Sequence, residues 1–291
     1  MSRRAAPKAH SPAARSAEGR VQSVSRPCSP GGAGLLRRPG VLLRWRRVSR
    51  RNLLVWRKLA VSSILGNIAD PLITLVAFGW GLGRLVQEID GVRYIVFLAA
   101  GSLCMSTMMA ASFEALYSAF SRMHAQKTWE SLLNAPLDLD DVVIAEWLWA
   151  ATKGLFSGIA IVLVMLALGL SHSPKLLLAL PVVMLIGLCF GAIGLCFNAL
   201  AKGYDFFAYY FTLVLTPMVF LSGVYYPMAG LPSWLSTISS LLPLASAVEL
   251  VRPLVLDRWP EQPLLHLAIL VGYTLVAFQI ALVLTRRRFG E

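Results

Sequence analysis

Six long apolar stretches, at about residues 59–83, 94–117, 142–170, 176–200, 206–224 and 263–285, alternate with short polar segments along this 291-residue chain. Each is close to the ~20 residues that a helix needs to cross the ~30 Å hydrocarbon core of a bilayer. In lipid, every backbone N–H and C=O must be satisfied internally, which favours helices for such runs. The pattern predicts an all-α integral membrane protein with six transmembrane helices. Function must then be read from what lies between and beside the spans.

Charge placement orients the chain. The residues are 57% hydrophobic and 14% charged, with a net charge of +12. A basic excess can serve nucleic acid, but here it is not spread over a surface. Fifteen of the 27 Lys and Arg precede residue 59, and Arg286, Arg287 and Arg288 close the chain. Basic residues flank spans on the cytoplasmic side. Six spans put both termini on one side. With both inside, 21 basic residues fall there and five (Arg84, Arg93, Lys175, Arg252, Arg258) fall outside. The chain reads as multi-pass with N and C termini cytoplasmic, and no nucleic-acid partner is expected.

Residues 1–36 are rich in Ser, Ala, Pro, Gly and Arg with a single acid, Glu18. Such a composition builds no core and predicts a disordered basic tail. Residues 41–58 differ. At helical spacing, Val41, Trp45, Val48, Asn52, Val55 and Trp56 gather on one arc, opposite Arg44, Arg46, Arg47, Arg50, Arg51 and Arg57. That segregation describes a helix lying in the headgroup plane. The first span carries Asp70-Pro71. An ionisable group at that depth faces protein or water, and the proline can kink the helix.

Residues 120–136 form an amphipathic stretch that ends at Pro136. A cytoplasmic helix there is either a connection or a docking surface. Asp138, Asp140 and Asp141 follow, suiting the dipole at the start of the third helix. Glu146 and Lys153, seven residues apart, share a face and are expected to orient that helix. The third and fourth spans carry the spaced glycines Gly154/Gly158 and Gly187/Gly191, which let helices approach closely. Residues 227–252 are too apolar for an exposed loop and too broken by Pro227, Pro232 and Pro243 to span. Ser233 is a plausible N-cap for a short helix ending near Leu242. A re-entrant pair of half-helices on the outer side satisfies both constraints.

Several chemistries lack their residues. There is no GxxxxGK[ST] loop, so ATP is not expected to bind this chain. The four His and four Cys are scattered, and no metal site or disulfide framework is expected. No nucleophile and base stand at compatible depth, so no catalytic residues are assigned. An ion-coupled secondary transporter would need several midplane carboxylates and inverted repeats. Only Asp70 is placed at depth by this reading.

The run His124-Ala125-Gln126-Lys127-Thr128-Trp129-Glu130-Ser131-Leu132-Leu133-Asn134-Ala135-Pro136-Leu137 resembles the coupling helix of ABC-2 type permeases. Tyr226-Pro227, Leu231-Pro232, Trp234-Leu235, Pro243-Leu244 and Arg252 look like that family's outer gate helices. Glu146-Trp147-Leu148-Trp149-Ala150-Ala151-Thr152-Lys153 resembles the third helix of its nodulation-factor exporter branch. The resemblance covers about residues 37–290. It implies an ABC-2 transmembrane domain with an interfacial helix, six spans, a coupling helix and outer gate helices. The chain would be the permease half of an exporter in the bacterial inner membrane. It would pair with a second permease copy and two ATPase subunits, which would carry ATP and Mg. Lys127, Thr128, Trp129, Glu130, Leu133 and Pro136 would couple to the ATPase. Phe220, Tyr225, Tyr226, Pro227, Pro232 and Pro243 would lie at the outer gate and substrate path. In that branch the cargo is a lipo-chitooligosaccharide, an amphiphile. A drug or glycolipid exporter is the variant within the same family. The fifth span's aromatics, including Phe206, Phe207, Tyr209, Tyr210 and Phe211, suit sugar rings and acyl chains, and equally suit lipid contact or core packing.

Overall fold

The computed structural model describes residues 45–58, 60, 66, 69, 72–86, 88–89, 91–134, 137–171, 173–230 and 232–290. The 1–36 tail, most of 59–71 with Asp70 and Pro71, and Pro136 lie outside the described residues. The helices are α1 (Trp45–Lys58), α2 (Leu72–Val86), α3 (Tyr94–Ala125), α4 (Thr128–Leu133), α5 (Leu139–Ala167), α6 (Leu176–Leu200), α7 (Asp205–Leu221), α8 (Ser233–Leu241), α9 (Pro243–Val255) and α10 (Pro263–Phe289). A short hairpin, β1 (Glu88–Ile89) and β2 (Val92–Arg93), pairs Glu88 with Arg93 around Gly91.

Among the described residues, α3, α5, α6 and α10 are long and apolar enough to cross a membrane. The helices α2 and α7 are apolar but shorter, and α8 and α9 meet at a bend of 85°. At ~1.5 Å per residue, neither half of that bent pair reaches across a bilayer alone. The expected break before Pro243 is there, because the proline has no N–H to continue the preceding helix and is preset to begin the next.

α6 sits at the centre and packs on α3, α5 and α10, while α9 packs on α3, α6 and α10. Small residues permit this approach. A methyl group at Gly187 would stand 2.8 Å from the Ala151 carbonyl oxygen, so α5 and α6 touch backbone to backbone. Ser106 and Ser157 hydrogen-bond at 2.6 Å between α3 and α5. Asp138 and Asp141 form a capping box that starts α5. A helix is present as α1 where an interfacial one is expected over 41–58, with 41–44 outside the described residues. Its apolar stripe packs on the bundle: Val48 and Asn52 are buried, and Trp56 stacks on Phe156 of α5 at 4.8 Å.

One boundary differs from expectation. The pattern separates a span at 94–117 from a cytoplasmic helix at 120–136. In the structure α3 runs on to Ala125 through wide π turns at Glu114–Ser118 and Ser121–Ala125. The chain breaks at Lys127, which is left-handed at φ 48°, and only then does the short α4 begin. The physical reason is Arg122. Expected on the polar face of the amphipathic stretch, it is instead neutralised within the bundle, so the helix runs on through it.

Candidate functional site

The bundle has a proximal end, which carries α1, α4 and the C-terminus, and a distal end opposite. At the proximal end, the Arg122 guanidinium holds two carboxylates. Its Nε donates to Glu146 Oε1 and Oε2 at 2.9 and 3.1 Å, and its Nη2 donates to Glu114 Oε1 at 2.9 Å. The Trp149 indole N–H donates to the same Glu114 oxygen at 2.9 Å. Glu146 is 1% exposed at its side chain, Glu114 8% and Arg122 13%. Buried ions are costly unless paired and hydrogen-bonded, and the planar fork of arginine meets that need. The cluster thereby locks the end of α3 to the start of α5.

A second layer ties this lock to α10. Asn198 near the end of α6 donates to the Ala115 and Leu116 carbonyls at 2.8 and 3.3 Å, within the first wide turn of α3. Arg288 donates to the Asn198 and Ala199 carbonyls at 2.8 and 2.9 Å. These are carbonyls of the last turn of α6, where the helix dipole attracts a cation; the Asn198 carbonyl also accepts from the Ala201 N–H. Arg288 also meets His124 Nε2 at 2.6 Å. Arg286 pairs with Asp140 on the surface.

α4 is wedged into this assembly. Trp129 is 1% exposed and stacks on Phe289 of α10 at 6.1 Å. Arg51 of α1 donates to the Thr128 hydroxyl at 3.5 Å. Of the residues expected to meet a partner, Lys127 and Glu130 are exposed and Thr128 and Leu133 half-buried. Trp129 is buried against α10 and seats α4, behind the surface that Lys127 and Glu130 present.

Glu146 and Lys153, expected to orient this helix, meet two different neighbours. Arg122 of another helix holds Glu146, while the Lys153 ammonium lies 5.2 Å from the Trp56 ring centroid of α1. Each orients α5, but against a different neighbour. Sequence reading missed Glu114 and Arg122 and placed only Asp70 at depth. The available signal was a carboxylate inside the second apolar run, eight residues before an arginine.

At the distal end, α7 stops before Gly223, whose φ of +71° turns the chain. Arg252 of α9 donates to the Gly223 carbonyl at 2.5 Å and stands 3.7 Å over the Phe97 ring. The Tyr94 hydroxyl donates to the Tyr225 carbonyl at 3.3 Å, and Ser239 donates to the Leu221 carbonyl. Tyr225 lies 5.7 Å from Phe220 and the same distance from Phe78, so two of the expected gate residues are together. Tyr226 and Pro227 are half-buried beside them, Pro232 is exposed, and Pro243 is buried as the first residue of α9. Among the fifth-span aromatics, Phe207 and Tyr210 are fully buried in a cluster with Tyr117, Phe120 and Phe197, whereas Tyr209 and Phe220 are exposed. Among the described residues no three His, Cys, Asp or Glu gather as a metal site.

The family described as ABC-2 type transporter matches residues 44–256. The chain is 46% identical over 255 residues to "Nodulation protein J" of Rhizobium leguminosarum bv. viciae, covering 88% of this chain and 98% of that one. It is 44% identical over 244 residues to the protein of the same name from Sinorhizobium fredii (strain NBRC 101917 / NGR234), covering 84% and 93%. The "Inner membrane transport permease YadH" of Escherichia coli (strain K12) is 24% identical over 205 residues, covering 70% and 78%.

Proposed function

Since the chain belongs to the ABC-2 type transporter family, we propose that it is the membrane permease subunit of an exporter driven by separate ATPase subunits. Six spans cross the bacterial inner membrane in this reading: one ending in α2, then α3, α5, α6, α7 and α10. The bent pair α8–α9 is re-entrant from the outer side. Both termini are cytoplasmic, in keeping with the basic residues around α1 and at the end of α10. A second copy completes the path, and each copy docks one ATPase subunit carrying ATP and Mg.

The observation that carries this reading is the mounting of α4. It presents Lys127 and Glu130 outward while Trp129 is locked into the core. Behind it, the Arg122 cluster joins α3 to α5. A push on so small a helix cannot be absorbed locally, because its anchor and the adjoining helix end are both packed or ion-paired. It is passed to α3, α5 and α10 as a tilt. The cargo is an amphiphilic lipid-linked saccharide, with lipo-chitooligosaccharide nodulation factor as the favoured member, in line with relatives named "Nodulation protein J".

The test is purification of the tagged chain from its native membrane. A stoichiometric ATPase, lost on Glu130→Lys although the permease stays monodisperse, is the expected result. A clean permease without a nucleotide-binding partner would reject the exporter reading.

A further inference from the structure

We propose that the distal cavity beside α9 is a saccharide-binding site, seating a sugar ring of the cargo on the outer face of the permease. The inference rests on the exporter reading above and adds a place and a chemistry to it. The cavity is about 400 Å³ and is lined by Phe97, Glu249, Arg252, Arg258, Trp259 and Glu261, among others. That volume falls in the ~300–1,000 Å³ range of small-molecule sites.

The lining matches an uncharged, hydroxyl-rich ligand better than an ion. Two acids and two arginines face the same space, so their formal charges cancel. A phosphate would meet two carboxylates, and a cation would meet two guanidinium groups. A neutral sugar uses both kinds of group. Its hydroxyls and amide N–H donate to Glu249 and Glu261, and its hydroxyl or amide oxygens accept from Arg258. Arg252 is already committed to the Gly223 carbonyl and the Phe97 ring, and forms a fixed wall.

The remaining requirement is a flat apolar surface for the C–H face of the ring. Trp259 provides one. It is 69% exposed, yet it is held in place, with the Lys175 ammonium 5.3 Å from its ring centroid. Lys175 is itself tied to the Asp257 carbonyl at 2.8 Å. A second cavity of about 570 Å³ shares Val92, Leu256 and Arg258 with the first. An oligosaccharide of several rings therefore has adjoining polar surface to follow.

The test uses the full chain in nanodiscs, with its ATPase partner where that co-purifies, and chitotetraose as the probe. Binding is read by tryptophan fluorescence and by saturation-transfer NMR. Saturable binding is expected, weakened about tenfold or more by Trp259→Ala and by Glu261→Gln, and retained by Trp259→Phe. No saturable binding by the wild type, or wild-type affinity in either Trp259→Ala or Glu261→Gln, would overturn the site; Trp259 would then be a headgroup anchor. ATPase co-purification is scored separately. Its failure counts against the exporter reading, while the chitotetraose isotherm still decides the site.

Discussion

At the proximal end one guanidinium holds two carboxylates, whereas at the distal end the corresponding guanidinium, that of Arg252, holds a backbone carbonyl and an aromatic ring. The difference follows from what each end must join. The proximal end joins helices that run on past the buried carboxylates, so side-chain charges make the main connection, with Asn198 and Arg288 adding donors to carbonyls of α3 and α6. The distal end joins a chain broken at Gly223 and before Pro243, whose loose carbonyls need donors. Charge pairing across buried helices is nearly all-or-none, because losing one partner leaves an uncompensated ion. Donation to a carbonyl at a break is graded, because water or a neighbouring hydroxyl can substitute. A rigid proximal end suits transmission of a tilt, and a graded distal end suits a mouth that opens.

Substitutions at the two ends should separate these cases. The largest effect is expected from Arg122→Ala, which strands Glu114 and Glu146 and should cost about 3–5 kcal/mol. Thermal unfolding in detergent would read it, and adding Glu114→Gln and Glu146→Gln should recover part of the loss. If the single and triple variants melt together, the charge lock is not what holds this end. Trp129→Ala comes next, at roughly 3 kcal/mol for emptying the site against Phe289. ATPase stimulation should fall with it, because α4 loses its seat.

Gly101→Ala probes the distal contrast. A methyl group there would stand 2.6 Å from the Val224 carbonyl oxygen, backbone that has little room to yield. About 1–3 kcal/mol is expected, together with slower export and a normal ATPase docking stoichiometry. Equal loss of docking would mean that the two ends are not separable. Arg286→Ala, which breaks the half-exposed pair with Asp140, should change stability by less than about 1 kcal/mol, and less still in high salt.

The smallest effect concerns the loop tie between residues 173–175 and 257. Hydrogen bonds from the Ser173 hydroxyl and from Lys175 hold the Asp257 carboxyl below its ordinary range. A carboxylate lowered on folding stabilises the tie above its unfolded pKa and releases it as the pH falls through the folded one. The Ser173 and Lys175 amides should stay protected from exchange at neutral pH and open only in acid below the usual carboxylate range. Asp257→Asn should abolish that pH step.

Much of this architecture was legible from residue order alone. The starts of α6 at Leu176 and α10 at Pro263, and the break before Pro243, follow from apolar length and proline chemistry. The acidic start of α5 follows from Asp138 and Asp141. These are local effects, decided within a turn or two of chain. The full Arg122 cluster was not legible, because Glu146 lies 24 residues away and meets Arg122 only through the folding back of α5, while Glu114 shares α3 with it. The burial of Trp129 depends on Phe289 at the far end of the chain.

The sequence by itself determined that the chain is helical, membrane-spanning and asymmetric in charge, because transfer of apolar helices to lipid depends on composition and length. Only the tertiary structure decided which charges are buried together, which side of α4 faces outward, and where aromatic and polar groups converge at the distal cavity. Those outcomes depend on distances between segments remote in sequence, and pairing energies exist only once packing has set those distances.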